Sequence, residues 1–197
     1  MSDLLALDVA LLLPPDVRQR AIHLNAMLPG HKSDGLRLDE EHLPHITLSQ
    51  QFVRIDELGA IVDRIDEALR NQDPLTVHVT GGRKGGRSVW MLVDRADAVV
   101  NLHERLMEVL RGFERPGGGA AAFFEGDARV GDVVWVNGYR LKSSLNAYTP
   151  HVTLGYGDEA PTIEPFTFKA TTLAACHLGR FCTCRHVLRS WELGQRR

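Results

Sequence analysis

The chain has 197 residues, a formal charge of −2, 44% apolar and 24% charged side chains. That length fits one domain, or two small lobes sharing a core, and buries roughly 70% of the unfolded surface. The near-neutral charge excludes the basic footprint that grips long duplexes, so a nucleic-acid ligand would be a nucleotide, a short end or a few bases.

Residues 4–13 are apolar enough to resemble the centre of a signal peptide. Asp3 precedes them, however, Asp8 interrupts them, and no basic residue comes first. The run is too short to span a bilayer. It is expected to be a buried first strand, stopped by Pro14 and Pro15. Val17, Ala21, Leu24 and Leu28 then recur at helical spacing, with Pro29 and Gly30 closing that helix. Residues 31–41 read as a loop.

Asp56 is placed to cap a second helix with an apolar stripe of Leu58, Val62, Ile65 and Leu69. LTVHVT and SVWMLVD, on either side of GGRKGGR, read as a hairpin. A third helix carries Val99, Leu102, Leu106 and Leu110. Residues 113–129, containing GGGAAA, read as a mobile loop that could serve as a lid. VGDVVWVNGY then resumes strand character, and FTFKATTLAACHL and HVLRSWEL finish the chain as strands. Helices outside antiparallel sheets follow from this order, an α+β class, with residues 1–197 as a single domain.

Cys176, Cys182 and Cys184 cannot all pair within one chain. Their clustering favours buried or edge thiols and a cytoplasmic, reducing setting. Cys182-Thr183-Cys184 lacks zinc-ligand spacing, and His42 with His45 would face opposite ways in a strand, so no metal is expected. No other cofactor is indicated.

PHITL at residues 44–48 and PHVTL at residues 150–154 are nearly the same word. Side chains alternate along a strand, so His45 and Thr47 share one face, as do His151 and Thr153. Ser49 and Gly155 are the next residues on those faces, and their small size would leave room for a ligand. A single His-x-Thr in a strand is usually a hydrogen-bonded pair. Two copies in apolar strands, each after proline, suggest matching halves facing one cleft.

Two imidazoles near their ordinary pKa of about 6.5 suit paired proton transfer, one neutral and one charged. Two threonine hydroxyls suit the non-bridging oxygens of a phosphoryl group.

At these residues the chain resembles the two-histidine (2H) phosphoesterase superfamily, which includes 2′–5′ RNA ligase-like proteins and cyclic phosphodiesterases. Its two H-x-[T/S]-x motifs are matched by His45-Ile46-Thr47-Leu48 and His151-Val152-Thr153-Leu154. ALDVALLLPPDVRQRA resembles the family's first strand and helix, and SVWMLVD a later strand. The resemblance implies a bilobal fold with two pseudo-symmetric antiparallel sheets, helices outside and a central cleft. It further implies metal-independent hydrolysis of a 2′,3′-cyclic phosphate on an RNA end or small nucleotide. His45 would be the acid and His151 the base. Cleavage or joining of 2′–5′ linkages is the alternative within the class, and a non-catalytic binder of nucleotides or RNA ends the alternative outside it.

Tyr156, Tyr148, Phe52 and Trp90 are candidate stacking platforms for a base, and Arg83 and Lys84 candidate phosphate contacts. Packing and a solvated hairpin tip explain these residues nearly as well.

Overall fold

The computed structural model describes residues 3–29 and 35–195. Gly30 and residues 31–34, which belong to the expected helix stop and loop, lie outside the described residues. Among the described residues eight strands form one antiparallel sheet: β1 (Leu4–Leu12), β2 (His45–Arg54), β3 (Leu75–Gly85), β4 (Ser88–Val93), β5 (His151–Tyr156), β6 (Phe166–Ala170), β7 (Thr172–Leu178) and β8 (Cys184–Glu192). Their order is β6-β3-β4-β5-β2-β1-β7-β8. Four α-helices accompany them among the described residues: α1 (Pro15–Met27), α2 (Leu58–Ala68), α3 (Asp97–Val109) and α4 (Val130–Lys142).

The sheet divides into two four-stranded halves, the two sheets expected from the sequence. They join where β2 and β5 pair at Ile46 and Val152, the central apolar residues of the two motifs. Outward from that seam both halves have the same plan, β2-β1-β7-β8 on one side and β5-β4-β3-β6 on the other.

Alternation decides the faces. Leu5, Leu7, Val9 and Leu11 of β1, with Ile46, Leu48, Val152 and Leu154, enter one core together with Ala21, Ile65 and Leu102 of α1, α2 and α3. The residues between them form the opposite face. In α2, Ile61 and Ile65 are fully buried, with Leu58, Val62 and Leu69 at the core margin. Asp56 does not cap this helix; it pairs with Arg54 at 2.9 Å.

FTFKATTLAACHL is two strands. β6 pairs with β3, while β7 pairs with β1, and only Thr171 separates them. In a flat sheet six strand spacings would part β6 and β7 by roughly 29 Å. The covalent chain allows Ala170 and Thr172 at most about 7 Å. The sheet must curl. Bulges in the pairings of β1, β4 and β7 supply the bends.

VGDVVWVNGY is helical rather than a strand. Its β-branched residues mislead, but Asp132, Val136 and Tyr139 recur at helical spacing and are buried. The Asp132 carboxylate also accepts a hydrogen bond from the Arg129 backbone N–H at 2.9 Å, satisfying a donor at the helix entrance. Residues 113–129 are anchored rather than loose. Phe123 is buried against Phe52 with ring centroids 5.8 Å apart, and the Arg115 N–H bonds the Phe52 carbonyl at 2.8 Å. Gly118 is there because a Cβ would fall 2.2 Å from the Phe52 ring. Of this segment only Arg129 reaches the cavity described below, which argues against a lid.

Candidate active site

On the face opposite the main core, a cavity of about 810 Å³ opens over the seam between the halves. His45, Thr47, His151 and Thr153 all line it. Antiparallel pairing with Ile46 opposite Val152 sets His45 across from Thr153 and Thr47 across from His151.

The proline before each histidine has a structural reason. It has no N–H to offer a neighbouring strand, and it holds the residue before it extended. The carbonyl of that residue then meets the imidazole. His45 Nδ1 bonds the Leu43 oxygen at 2.9 Å, and His151 Nδ1 bonds the Thr149 oxygen at 2.7 Å. A carbonyl only accepts, so Nδ1 carries the proton in both rings and Nε2 is the nitrogen left unclaimed by the backbone.

After each threonine the strand bulges. Asp8, Val9 and Ala10 of β1 face Gln50, Ser49 and Thr47 of β2. Ser88, Val89 and Trp90 of β4 face Tyr156, Gly155 and Thr153 of β5 in the same way. One extra residue reverses the phase of everything after it. Ser49 therefore sits opposite core residue Val9 and is buried, and Gly155 is opposite Val89. They are not the next residues on the polar face. Gln50 and Tyr156 take that place and line the cavity.

The halves differ in charge. Asp8, with no solvent exposure, accepts at Oδ2 from the Thr47 hydroxyl at 2.9 Å and from the Gln50 amide. His45 Nε2 lies 3.4 Å from the same oxygen. Burial disfavours a charged His45 ring, but the Asp8 hydrogen bond and charge outweigh it, and the ring titrates above its ordinary value. Burial likewise disfavours charge on His151. The Thr149 carbonyl offsets this only in part, the nearby His45 adds to it, and His151 titrates below its ordinary value. One ring thus favours the protonated form and the other the neutral form.

Asp8, His45 and Cys184 bring donor atoms within 4.8 Å of one another. We read the cluster as a hydrogen-bonded network. Asp8 Oδ2 is occupied by Thr47 and Gln50, and burial holds the Cys184 thiol well above its usual range. All three cysteines are free, with Cys176 and Cys184 buried.

A family model described as the 2′-5′ RNA ligase superfamily matches residues 13–182. The chain belongs to the 2′-5′ RNA ligase superfamily. The fold of this superfamily member is similar to that of Escherichia coli LigT in apo form, with 21% identity, 98% of this chain and 100% of that chain covered, and a TM-score of 0.63. A solved phosphoesterase is similar at 20% identity over 97% and 99% of the two chains, TM-score 0.62. A protein of Thermus thermophilus, TT0787, is similar at 16% identity over 96% and 98%, TM-score 0.58. No curated protein matches the chain in sequence.

Among the other candidates in this superfamily member, Trp90 and Tyr156 line the cavity. Trp90 lies against the His151 ring. Tyr148 also contributes to the wall, but it is buried as a strut: its ring stacks on His103 and its hydroxyl donates to the Thr47 carbonyl at 2.9 Å. Phe52 is buried in the second core beside Phe123 and does not line the cavity. Arg83 faces Trp90 across the hairpin, hence on the cavity side, whereas Lys84 faces Val89 and is on the other side. Neither lines the cavity itself.

Sequence reading missed Asp8, Gln50, Trp135 and Arg129. Asp8 had a signal: a charged residue inside an otherwise apolar strand. Arg129 stands over the Phe181 ring at 3.9 Å, bonds Asp132 and reaches the Tyr156 hydroxyl at 2.8 Å. It is brought to the cavity by α4, which the sequence presented as a strand. Among the described residues no helix is long and apolar enough to cross a membrane.

Proposed function

We propose that this protein hydrolyses the 2′,3′-cyclic phosphate of a nucleotide or a short RNA end, by proton transfer between His45 and His151. The observation that carries the reading is the pair of Nε2 atoms from neighbouring strands serving one cavity with opposite protonation preferences. LigT, a relative in fold, has been solved with phosphate, 3′-AMP, ATP and NADP+, in keeping with a nucleotide ligand here.

In this mechanism neutral His151 accepts at Nε2 a proton from water as the water oxygen attacks phosphorus. The bond from phosphorus to one ribose oxygen breaks, and that oxygen leaves with the electron pair. His45 supplies its Nε2 proton to it, and the product is a phosphate monoester. Each proton transfer contributes ~10²–10⁴ in rate, or roughly 2.7–5.4 kcal/mol of barrier. Thr153, whose hydroxyl has no hydrogen-bond partner among the described residues, is the readier donor to a non-bridging oxygen. Thr47 must first turn from Asp8. Arg129 supplies positive charge at the wall, and Trp90 a stacking surface.

The test is hydrolysis of nucleoside 2′,3′-cyclic phosphates, RNA with cyclic ends and 2′–5′ oligonucleotides in EDTA, with His45→Ala and His151→Ala alongside. Each variant is expected to lose ~10²–10⁴ in kcat while keeping its thermal melt. Turnover confined to the 2′–5′ oligonucleotides would move the assignment to 2′–5′ chemistry. Nucleotide binding without turnover of any substrate would make the protein a binder.

A further inference from the structure

The two halves share one backbone plan, so the positions where they differ chemically stand out. With the bulges aligned, Asp8 of β1 corresponds to Ser88 of β4, Ala10 to Trp90, and Gln50 to Tyr156. The first exchange places a buried carboxylate on one side of the seam and a neutral hydroxyl on the other. We propose that Asp8 is a positioning residue that makes His45 the proton donor, and that Ser88 at the equivalent place leaves His151 free to be the acceptor. This rests on the hydrolytic reading above for its kinetic meaning, but not for its structural one.

The geometry supports the assignment at each contact. Asp8 has no exposure, so its interactions are unscreened by solvent. Its Oδ2 lies 3.4 Å from His45 Nε2 and accepts from Thr47 and Gln50. Gln50 in turn accepts from the Trp135 indole N–H at 2.9 Å, so the carboxylate is braced from α4. Oδ1 is buried with no partner among the described residues. A carboxylate retained in an apolar strand with one oxygen unsatisfied is expensive for folding, and such sites are kept where the charge acts on something.

The other groups facing His45 do not explain its preference for the proton. Cys176 of β7 adds weakly in the same direction, and Cys184 of β8 is a buried, protonated thiol. His151 of β5, when charged, opposes it. Cys182 before β8 is likewise protonated by burial, and Tyr139 of α4 and Tyr148 are phenols held above their usual range by burial. Arg129 at the cavity wall, held by Asp132, is a cation, and a cation disfavours rather than favours a charged imidazole.

The experiment is NMR titration of the histidine ring carbons in unliganded wild type, Asp8→Asn and Asp8→Ser, with pH–rate profiles where substrate is turned over. The expected result is a His45 titration that falls by about one pH unit or more in both variants while His151 stays or rises. The alkaline limb of the rate profile should move down with it. A purely structural role would lower the melting temperature and leave both midpoints in place, and that outcome overturns the proposal. If neither variant folds, the wild-type titration decides, because His45 midpoints at or below those of His151 overturn it. Shifted midpoints in a protein that turns over no substrate would uphold Asp8 and remove the hydrolytic reading.

Discussion

The Trp90 indole lies on the His151 imidazole, with centroids 4.3 Å apart and planes 29° from parallel. It covers one face of the ring and adds to the burial that keeps it neutral. Gly85, opposite Ser88 and diagonal to Trp90 across the hairpin, makes the arrangement possible: a Cβ there would fall 2.2 Å from the indole.

Trp90→Ala should therefore admit water to His151, raise its pKa and move the acid limb of the rate profile upward. Gly85→Ala should push the indole off the ring and reproduce part of that shift. Both are read from pH–rate profiles, with unchanged circular dichroism as the control for folding. An acid limb that stays in place in Trp90→Ala would refute the shielding role.

The opposite displacements of the two rings predict a broad rate plateau. His151 must be neutral, so the rate falls only below its lowered pKa. His45 must be protonated, so the rate falls only above its raised one. The width of the bell in kcat/KM checks this, and a narrow optimum near pH 6.5 would contradict it.

Arg129 holds a fixed guanidinium against the Phe181 ring and the Tyr156 hydroxyl. Arg129→Gln should raise KM by ~10–100-fold, the effect of one charge-assisted hydrogen bond, with a smaller change in kcat. Arg129→Lys should recover only part, because an ammonium lacks the planar fork. Steady-state kinetics on a cyclic nucleotide measures both.

Stability should be lost in acid through His103. Its Nδ1 bonds the Leu48 carbonyl at 2.6 Å and its Nε2 accepts from the Leu145 N–H at 2.8 Å, so a second proton has no place. Burial pushes it down to about 4. A histidine with a lowered folded pKa costs nothing above its unfolded value of about 6.5, and stability declines as pH falls from there toward 4. Thermal melts of wild type and His103→Gln across that range should converge as pH falls. Parallel curves would exclude His103 as the cause.

Asn25 is buried on α1, where its amide donates to the Leu154 carbonyl at 2.7 Å and its oxygen accepts from the Leu38 N–H at 3.0 Å. It ties the helix to the second motif strand and to a cavity wall. Asn25→Ala should destabilise by about 1–3 kcal/mol in chemical denaturation, since both backbone partners lose a buried bond.

Local pattern was enough for much of this. The period of two in PHITL and PHVTL put each His–Thr pair on one face, and the helical stripes of α1 and α3 were legible because an amphipathic period belongs to a segment alone. The two proline–histidine words pointed to the residues that line the cavity without any knowledge of how the halves meet. Pattern failed where a partner strand decides. Neither bulge after Thr47 and Thr153 has a local sign strong enough to show that Gln50 and Tyr156, not Ser49 and Gly155, continue the polar face. The division of residues 166–178 between opposite regions of the sheet depends on which strands are available to pair. Nor could valines in α4 tell a helix from a strand until Tyr139 and Val136 had a core to enter. Asp8 is the sharpest case: a charge in an apolar run is only an anomaly until folding sets it under His45, because its electrostatic effect depends on distance and burial, which exist only in three dimensions.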